Sequence, residues 1–163
     1  MTHLGTAASG SGLTDVNASA LGGLGRSNFW QLGGNNLSPG QFLGSANNQP
    51  LELWANGQRA LRLEPDLAGG SPNVIGGSLS NAVSVGVTGA TIAGGGATNY
   101  FGSLVPNSVN ASYGAIGGGF DNHVKPGADR SVVAGGYANN VAGVAAAILG
   151  GAVNYASADF RDR

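Results

Sequence analysis

The chain has 163 residues, of which 31 are Gly and none is Cys, with 9% charged side chains and a formal net charge of −1. Low charge with 42% hydrophobic residues excludes a disordered polyelectrolyte, and the near-zero balance offers no electrostatic pull on nucleic acid or an anionic membrane. The absence of Cys excludes disulfide scaffolds, thiol catalysis and thiolate metal sites.

Residues 1–16 are rich in Gly, Ser, Thr and Ala without a period, and read as a linker or a loosely held strand. Asn17 to Leu32 carries scattered apolar residues: Leu21, Leu24, Phe29, Trp30 and Leu32. Residues 33–50 read as loop with a short strand at Gln41-Phe42-Leu43. The first segment, 1–46, is therefore expected to be a loop-rich linker or assembly segment. A β-hairpin is expected over 47–65 and repeats over 66–163. In the hairpin, Asn56-Gly57 suggests a two-residue turn, but that register sets Leu51 opposite Arg62 and mixes the faces. A three-residue loop, Ala55 to Gly57 with Gly57 as a left-handed bulge residue, puts Leu51, Leu53, Leu61 and Leu63 on one face and Glu52, Trp54, Ala60 and Arg62 on the other.

The second half repeats. Ile75-Gly-Gly-Ser-Leu-Ser-Asn81, Ile92-Ala-Gly-Gly-Gly-Ala-Thr98, Ile116-Gly-Gly-Gly-Phe-Asp-Asn122, Val133-Ala-Gly-Gly-Tyr-Ala-Asn139 and Ile148-Leu-Gly-Gly-Ala-Val-Asn154 share one pattern: a β-branched residue, a Gly-rich pair and a terminal Asn or Thr. Their spacings are 17, 24, 17 and 15 residues. That is too short for a helical repeat and fits one coil of a β-solenoid, with two short strands and two turns. The fold class is thus all-β: a Gly-rich β-solenoid or β-roll. Ile75, Ile92, Ile116, Val133 and Ile148 are the expected core, stacking from coil to coil. The glycines make corners, and Asn at successive corners can form ladders. The longer spacings predict loops at Tyr100–Ala111 and Asn122–Arg130.

Few residues point to chemistry. His123, beside Lys125, Asp129 and Arg130, sits in an expected polar loop, and nothing in the sequence ties a Ser or Asp to it as a triad. The scattered Asp and Glu residues give no glycosidase pair, and Asp121 has the wrong offset for a calcium-binding roll. No metal site, cofactor or catalytic residue is expected. Phe120 and Tyr137 occupy one repeat position and are expected to stack at one edge, as a ligand-binding ledge or as a corner packed against another subunit. Tyr100 and Phe101 open the longest insertion, where loops on rigid scaffolds carry recognition.

The repeat units resemble the head repeats of trimeric autotransporter adhesins. The stretch from Asn47 to Pro65 is similar to a segment preceding such repeats in bacterial surface fibres. Asn17-Ala-Ser-Ala-Leu-Gly-Gly-Leu-Gly-Arg-Ser-Asn-Phe29 resembles an element of phage tail-fibre-like proteins. The resemblance implies a trimeric β-prism-like assembly with the five repeat residues as its stacked core. It implies a non-enzymatic, adhesin-like role outside the cell, on a cell surface, virion or injection machine. A cell-surface glycan or receptor is the implied partner, and end-to-end filaments are a variant. The rival expectation is a trimeric left-handed β-helix acyltransferase with His123 as general base.

Overall fold

The computed structural model describes residues 20–21, 24–25, 29–66 and 70–157. Among these residues there are strands and turns but no helix. The chain divides into two compact units, Met1–Leu43 and Gly44–Arg163. In the first, β1 (Ala20–Leu21) and β2 (Leu24–Gly25) pair antiparallel. Gln41–Leu43, expected as a strand, is irregular. The Gln41 N–H donates to the Ser38 carbonyl at 3.0 Å, while its side-chain Oε1 accepts the Ser38 N–H at 2.8 Å. This closes a local turn in place of a ladder. The linker expectation for 1–16 lies outside the described residues.

The second unit begins with the hairpin of β3 (Leu51–Ala55) and β4 (Gln58–Glu64). Ala55 pairs with Gln58, so the loop is the two residues Asn56 and Gly57, at φ 50° and 69°. Both are left-handed, as the type I′ turn that suits strand twist requires. The expected three-residue loop is therefore corrected. The register slip falls inside β4, where Leu53 pairs with Leu61 but Trp54 with Arg59, leaving Ala60 as a bulge. The face assignment survives because the bulge makes the same one-residue correction further from the turn. Leu51 pairs with Leu63 and Leu53 with Leu61.

β4 then pairs antiparallel with β5 (Asn73–Gly76). From there the chain alternates between two sheets. The first continues from β5 in parallel through β7 (Thr91–Ile92), β11 (Ala115–Ile116), β13 (Val132–Val133) and β15 (Ala147–Ile148). The second stacks β6 (Ala82–Val83), β10 (Ser108–Val109), β12 (His123–Val124), β14 (Asn140–Val141) and β16 (Tyr155–Ala156), also in parallel. The result is a β-solenoid in which each coil contributes one short strand to each sheet.

Ile75, Ile92, Ile116, Val133 and Ile148 are buried and in register along the first sheet. They lie inside the roll of a single chain and form its core. A second column faces it: Val109, Val124 and Val141 are fully buried, with Val83 and Ala156 packed against the same cluster. These residues follow Ala82, Ser108, His123, Asn140 and Tyr155, without a Gly pair to mark them, so the repeat pattern does not reveal them. Their strands also correct the expected loops. Ser108–Val109 and His123–Val124 are rungs of the second sheet. The true excursion is the separate antiparallel ribbon of β8 (Ala97–Tyr100) and β9 (Ser103–Val105).

An asparagine ladder runs up the corner between the sheets. Asn81, Asn107, Asn122 and Asn139 are buried. The Oδ1 atoms of Asn81, Asn107, Asn122 and Asn139 accept the backbone N–H of the next rung at 2.9–3.1 Å. Each Nδ2 of Asn122 and Asn139 donates to a Gly carbonyl of its own coil and to one of the next. No buried side-chain N or O among the described residues lacks a partner. The amide has two donors and one acceptor oxygen, which is what a parallel stack needs at a corner where backbone groups turn inward.

The hairpin carries charge on its other face. The Glu52 carboxylate accepts from Arg62 at 2.7 Å, Arg62 also donates to Glu64 at 2.6 Å, and Arg59 donates to the Leu79 and Asn81 carbonyls. The last contact closes the first corner of the Asn ladder. The Arg62 hydrogen bond holds the Glu52 carboxyl below its ordinary 4.5, against partial burial and with help from the Trp54 indole N–H. A depressed carboxyl stabilises the fold above its unfolded value, and that contribution is lost as pH falls through the folded value. The gap in unfolding midpoint between the native chain and Glu52→Gln is therefore expected to be present near neutral pH and to close below pH 4.5 in a pH series. Added salt is expected to narrow it at neutral pH, because the pair is open to solvent.

Candidate functional site

Three surfaces of the second unit carry side chains with something to do. The first is an aromatic corner. Phe120 and Tyr137 form parallel bridges in adjacent coils, and their ring centroids lie 4.8 Å apart. The equivalent position one coil earlier is Gly96, which has no ring. Tyr100, reaching back from the ribbon, stacks on Phe120 in its stead at 4.6 Å. Phe101 meets Tyr100 edge to face at 4.8 Å. The structure thus brings together all four aromatic residues singled out in the sequence. The rings of the ladder are tilted by 34–41° to one another, and Tyr100 and Tyr137 at its ends are 45% and 43% exposed. Phe101 is the most exposed of the four, 93% at the ribbon tip.

The second surface is the outer face of the second sheet, which is polar. Ala82, Ser108, His123, Asn140 and Tyr155 lie in one row across the strands. The expected polar loop around His123 is a rung of this row. Ser108 Oγ lies 2.7 Å from His123 Nδ1, and His123 Nε2 lies 3.1 Å from Asp121 Oδ1. The fold therefore supplies the Ser and Asp partners that sequence spacing did not. A parallel pairing places Ser108 beside His123, and the left-handed Asp121, at φ 60°, turns its carboxylate back on the ring. As chemistry the trio is incomplete. An acyl-transfer site needs N–H donors aimed at a developing oxyanion. The backbone N–H groups of Ser108, Asn110, His123 and Lys125 all donate to carbonyls of the next coil. Among the described residues, no three His, Asp or Glu side chains converge as a metal site.

The third surface is the outer face of the first sheet, which is apolar. Its register lines up Leu53 with Leu61, Leu51 with Leu63, then Leu63 with Val74, Thr91, Ala115, Val132 and Ala147. No charged side chain enters this row. Leu53 and Val132 are 47% and 40% exposed. Sequence reasoning grouped the leucines but did not see them continue across the roll. Only the antiparallel pairing of β4 with β5 joins the two patterns. Compared with known proteins, the chain matches no family model, no curated protein and no solved structure.

Proposed function

We propose that this chain is a non-enzymatic structural segment of an extracellular trimeric fibre, adhesin-like or tail-fibre-like, that gives a stiff rod and presents its corners in several copies. The observation that carries this reading is the asymmetry of the two outer faces. One sheet turns a polar row outward. The other turns outward an uncharged row of Leu, Val, Ala and Thr that extends from the hairpin to the last coil. Such an apolar row on a soluble chain calls for burial. Packing it about a threefold axis buries it in all copies at once and closes the assembly. The repeat pattern's resemblance to trimeric adhesin heads supports the same arrangement, and a trimer turns weak contacts at each corner into avidity.

The test is molar mass by light scattering behind size exclusion, with negative-stain images of the same sample. A mass three times 15.9 kDa and rod-shaped particles are expected. Long filaments would keep the structural role and move attention to the joint between ends. A folded monomer at all concentrations would overturn the reading.

A further inference from the structure

The two ends of the roll differ. At the far end both sheets stop together, at β15 and β16. The Ala146 and Ile148 carbonyls accept from Val132 and Ala134 of the coil before. By alternation, the N–H and C=O groups of Ala147 and Leu149 point out of the last coil. At the near end the first sheet has seven strands and the second five, because the hairpin extends only the first. The hairpin reverses direction twice. β4 runs against β5 and β3 against β4, so β3 points the same way as β15. The Gly77 N–H donates to the Ala60 carbonyl, which fixes the alternation along β4: Arg62 bonds toward β5, Leu61 and Leu63 toward β3. Their partners Leu53 and Leu51 bond back, which leaves the backbone groups of Glu52 and Trp54 on the open edge. Among the described residues no strand pairs with either edge.

We propose that these two edges are the halves of one joint, in which β3 of a second copy adds in parallel to β15. Three observations select a second copy as the occupant. The first is direction: β3 and β15 run the same way, so the first sheet continues through the joint as a parallel sheet. The second is the phase of the two edges. A parallel pair sets a residue whose backbone groups point at the partner beside one whose groups point away, with both side chains on the same face. Ala147 is of the first kind and its side chain lies in the outer row. Leu51 and Leu53 are of the second kind and lie in the same row. An edge of the opposite phase would set the apolar row against the charged face of the hairpin. The third observation is what the register covers. With Leu51 beside Ala147, Ile148 would meet the Glu52 carboxylate. With Leu53 there, Ile148 meets Trp54. Ile148 ends the first core column and is its least covered member, 7% exposed. Trp54 shares the inner face with Glu52, which accepts its indole N–H at 3.1 Å, and is 61% exposed. Its ring would close the open end of the core. Neither edge strand carries the Pro or Lys that blocks strand addition, and the inward Glu52 is paired with Arg62. The contact is heterologous and does not close on itself, so copies add in line. The joint does not need the trimer: single rolls and bundles of three carry the same edges.

The chain has no Cys, so a reporting pair can be introduced cleanly. Leu53 and Ala147 lie six strand spacings apart in one roll, about 29 Å, too far for a short bismaleimide to bridge within a chain or between parallel copies side by side. The double variant Leu53→Cys, Ala147→Cys is expected to give a ladder of covalent dimers, trimers and longer products, and either single variant none. Trp54→Ala in the otherwise native chain is expected to keep the strand signal in circular dichroism. It is also expected to raise by about tenfold or more the concentration at which particles lengthen, the loss that truncation of one well-seated interface aromatic produces. No crosslink, a ladder that stops at two copies, or Trp54→Ala assembling like the native chain would overturn the joint and leave the trimeric reading standing. A full ladder built on a unit of one chain rather than three would keep the joint and remove the trimer.

Discussion

Gly119→Ala is expected to destabilise the roll by about 3 kcal/mol, while Gly118→Ala, one residue earlier, is expected to be neutral or slightly stabilising. The two glycines sit in the same run but in different environments. Gly119 has φ 73°, and a Cβ built there would overlap the Gly136 carbonyl oxygen of the next coil and come within 2.7 Å of the Gly136 nitrogen. The left-handed backbone alone disfavours Ala by roughly 1–2 kcal/mol. Forcing two coils apart adds a strain of about 1–3 kcal/mol. At Gly118 the backbone is not left-handed and no atom lies within 4 Å of the added methyl. There Ala reduces the freedom of the unfolded chain, worth up to about 1 kcal/mol in favour of the fold. Urea unfolding of the two variants side by side measures the difference. Equal stability would mean that the coils are not held at the spacing seen at this corner.

Asn122→Leu is the second large effect, expected at about 3 kcal/mol or more despite similar side-chain size. Asn122 donates through Nδ2 to the Gly118 and Gly136 carbonyls, with Asn107 Oδ1 3.2 Å from the same nitrogen, and its Oδ1 accepts the backbone N–H of Asn139. Leu would strand the buried Asn139 N–H and the Gly118 carbonyl. Each orphaned buried group costs about 1–3 kcal/mol beyond the lost bonds. Asn154→Leu is the internal control. That rung is exposed and donates only to Asn139 Oδ1 and the Gly150 carbonyl, so its loss is expected at about 1 kcal/mol. Hydrogen exchange resolved along the chain would show protection falling around 118–139 in the first variant and near the last coil in the second. If both variants lose the same small amount, the buried ladder contributes no more than its exposed rung.

These two columns also explain how a chain so rich in Gly orders. Glycine lets backbones of adjacent coils approach closely at the corner, and the Asn amide then bonds two coils at once. The side-chain core is thin, with one β-branched residue from each sheet per coil in most coils. The corner hydrogen bonds repeat with every coil and so scale with length, as nearest-neighbour interactions do in solenoids.

What the sequence alone determined is the periodic part. The spacing of Ile75, Ile92, Ile116, Val133 and Ile148, the Gly-rich corners and the recurring Asn are local patterns that map on stacked coils, except in the second repeat unit, where the ladder rung is Asn107 beyond the ribbon and Thr98 lies in β8. The pairing of Phe120 with Tyr137 was legible for the same reason: both occupy one position of the repeat. The tertiary structure decided whatever depends on two segments meeting. It placed the second core column, because two-residue strands such as His123–Val124 are too short to show an alternation. It moved the hairpin bulge from the turn to Ala60, because the Asn56-Gly57 turn and the leucine pairing had to be satisfied together. It brought Ser108 to His123 and Tyr100 to Phe120 through contacts between separate segments, while Asp121 reaches His123 locally from two residues away. It also joined the hairpin leucines to the outer row of the roll, since a continuous apolar face is a property of strand order in a sheet, and strand order is set by long-range hydrogen bonding rather than by any local run of residues.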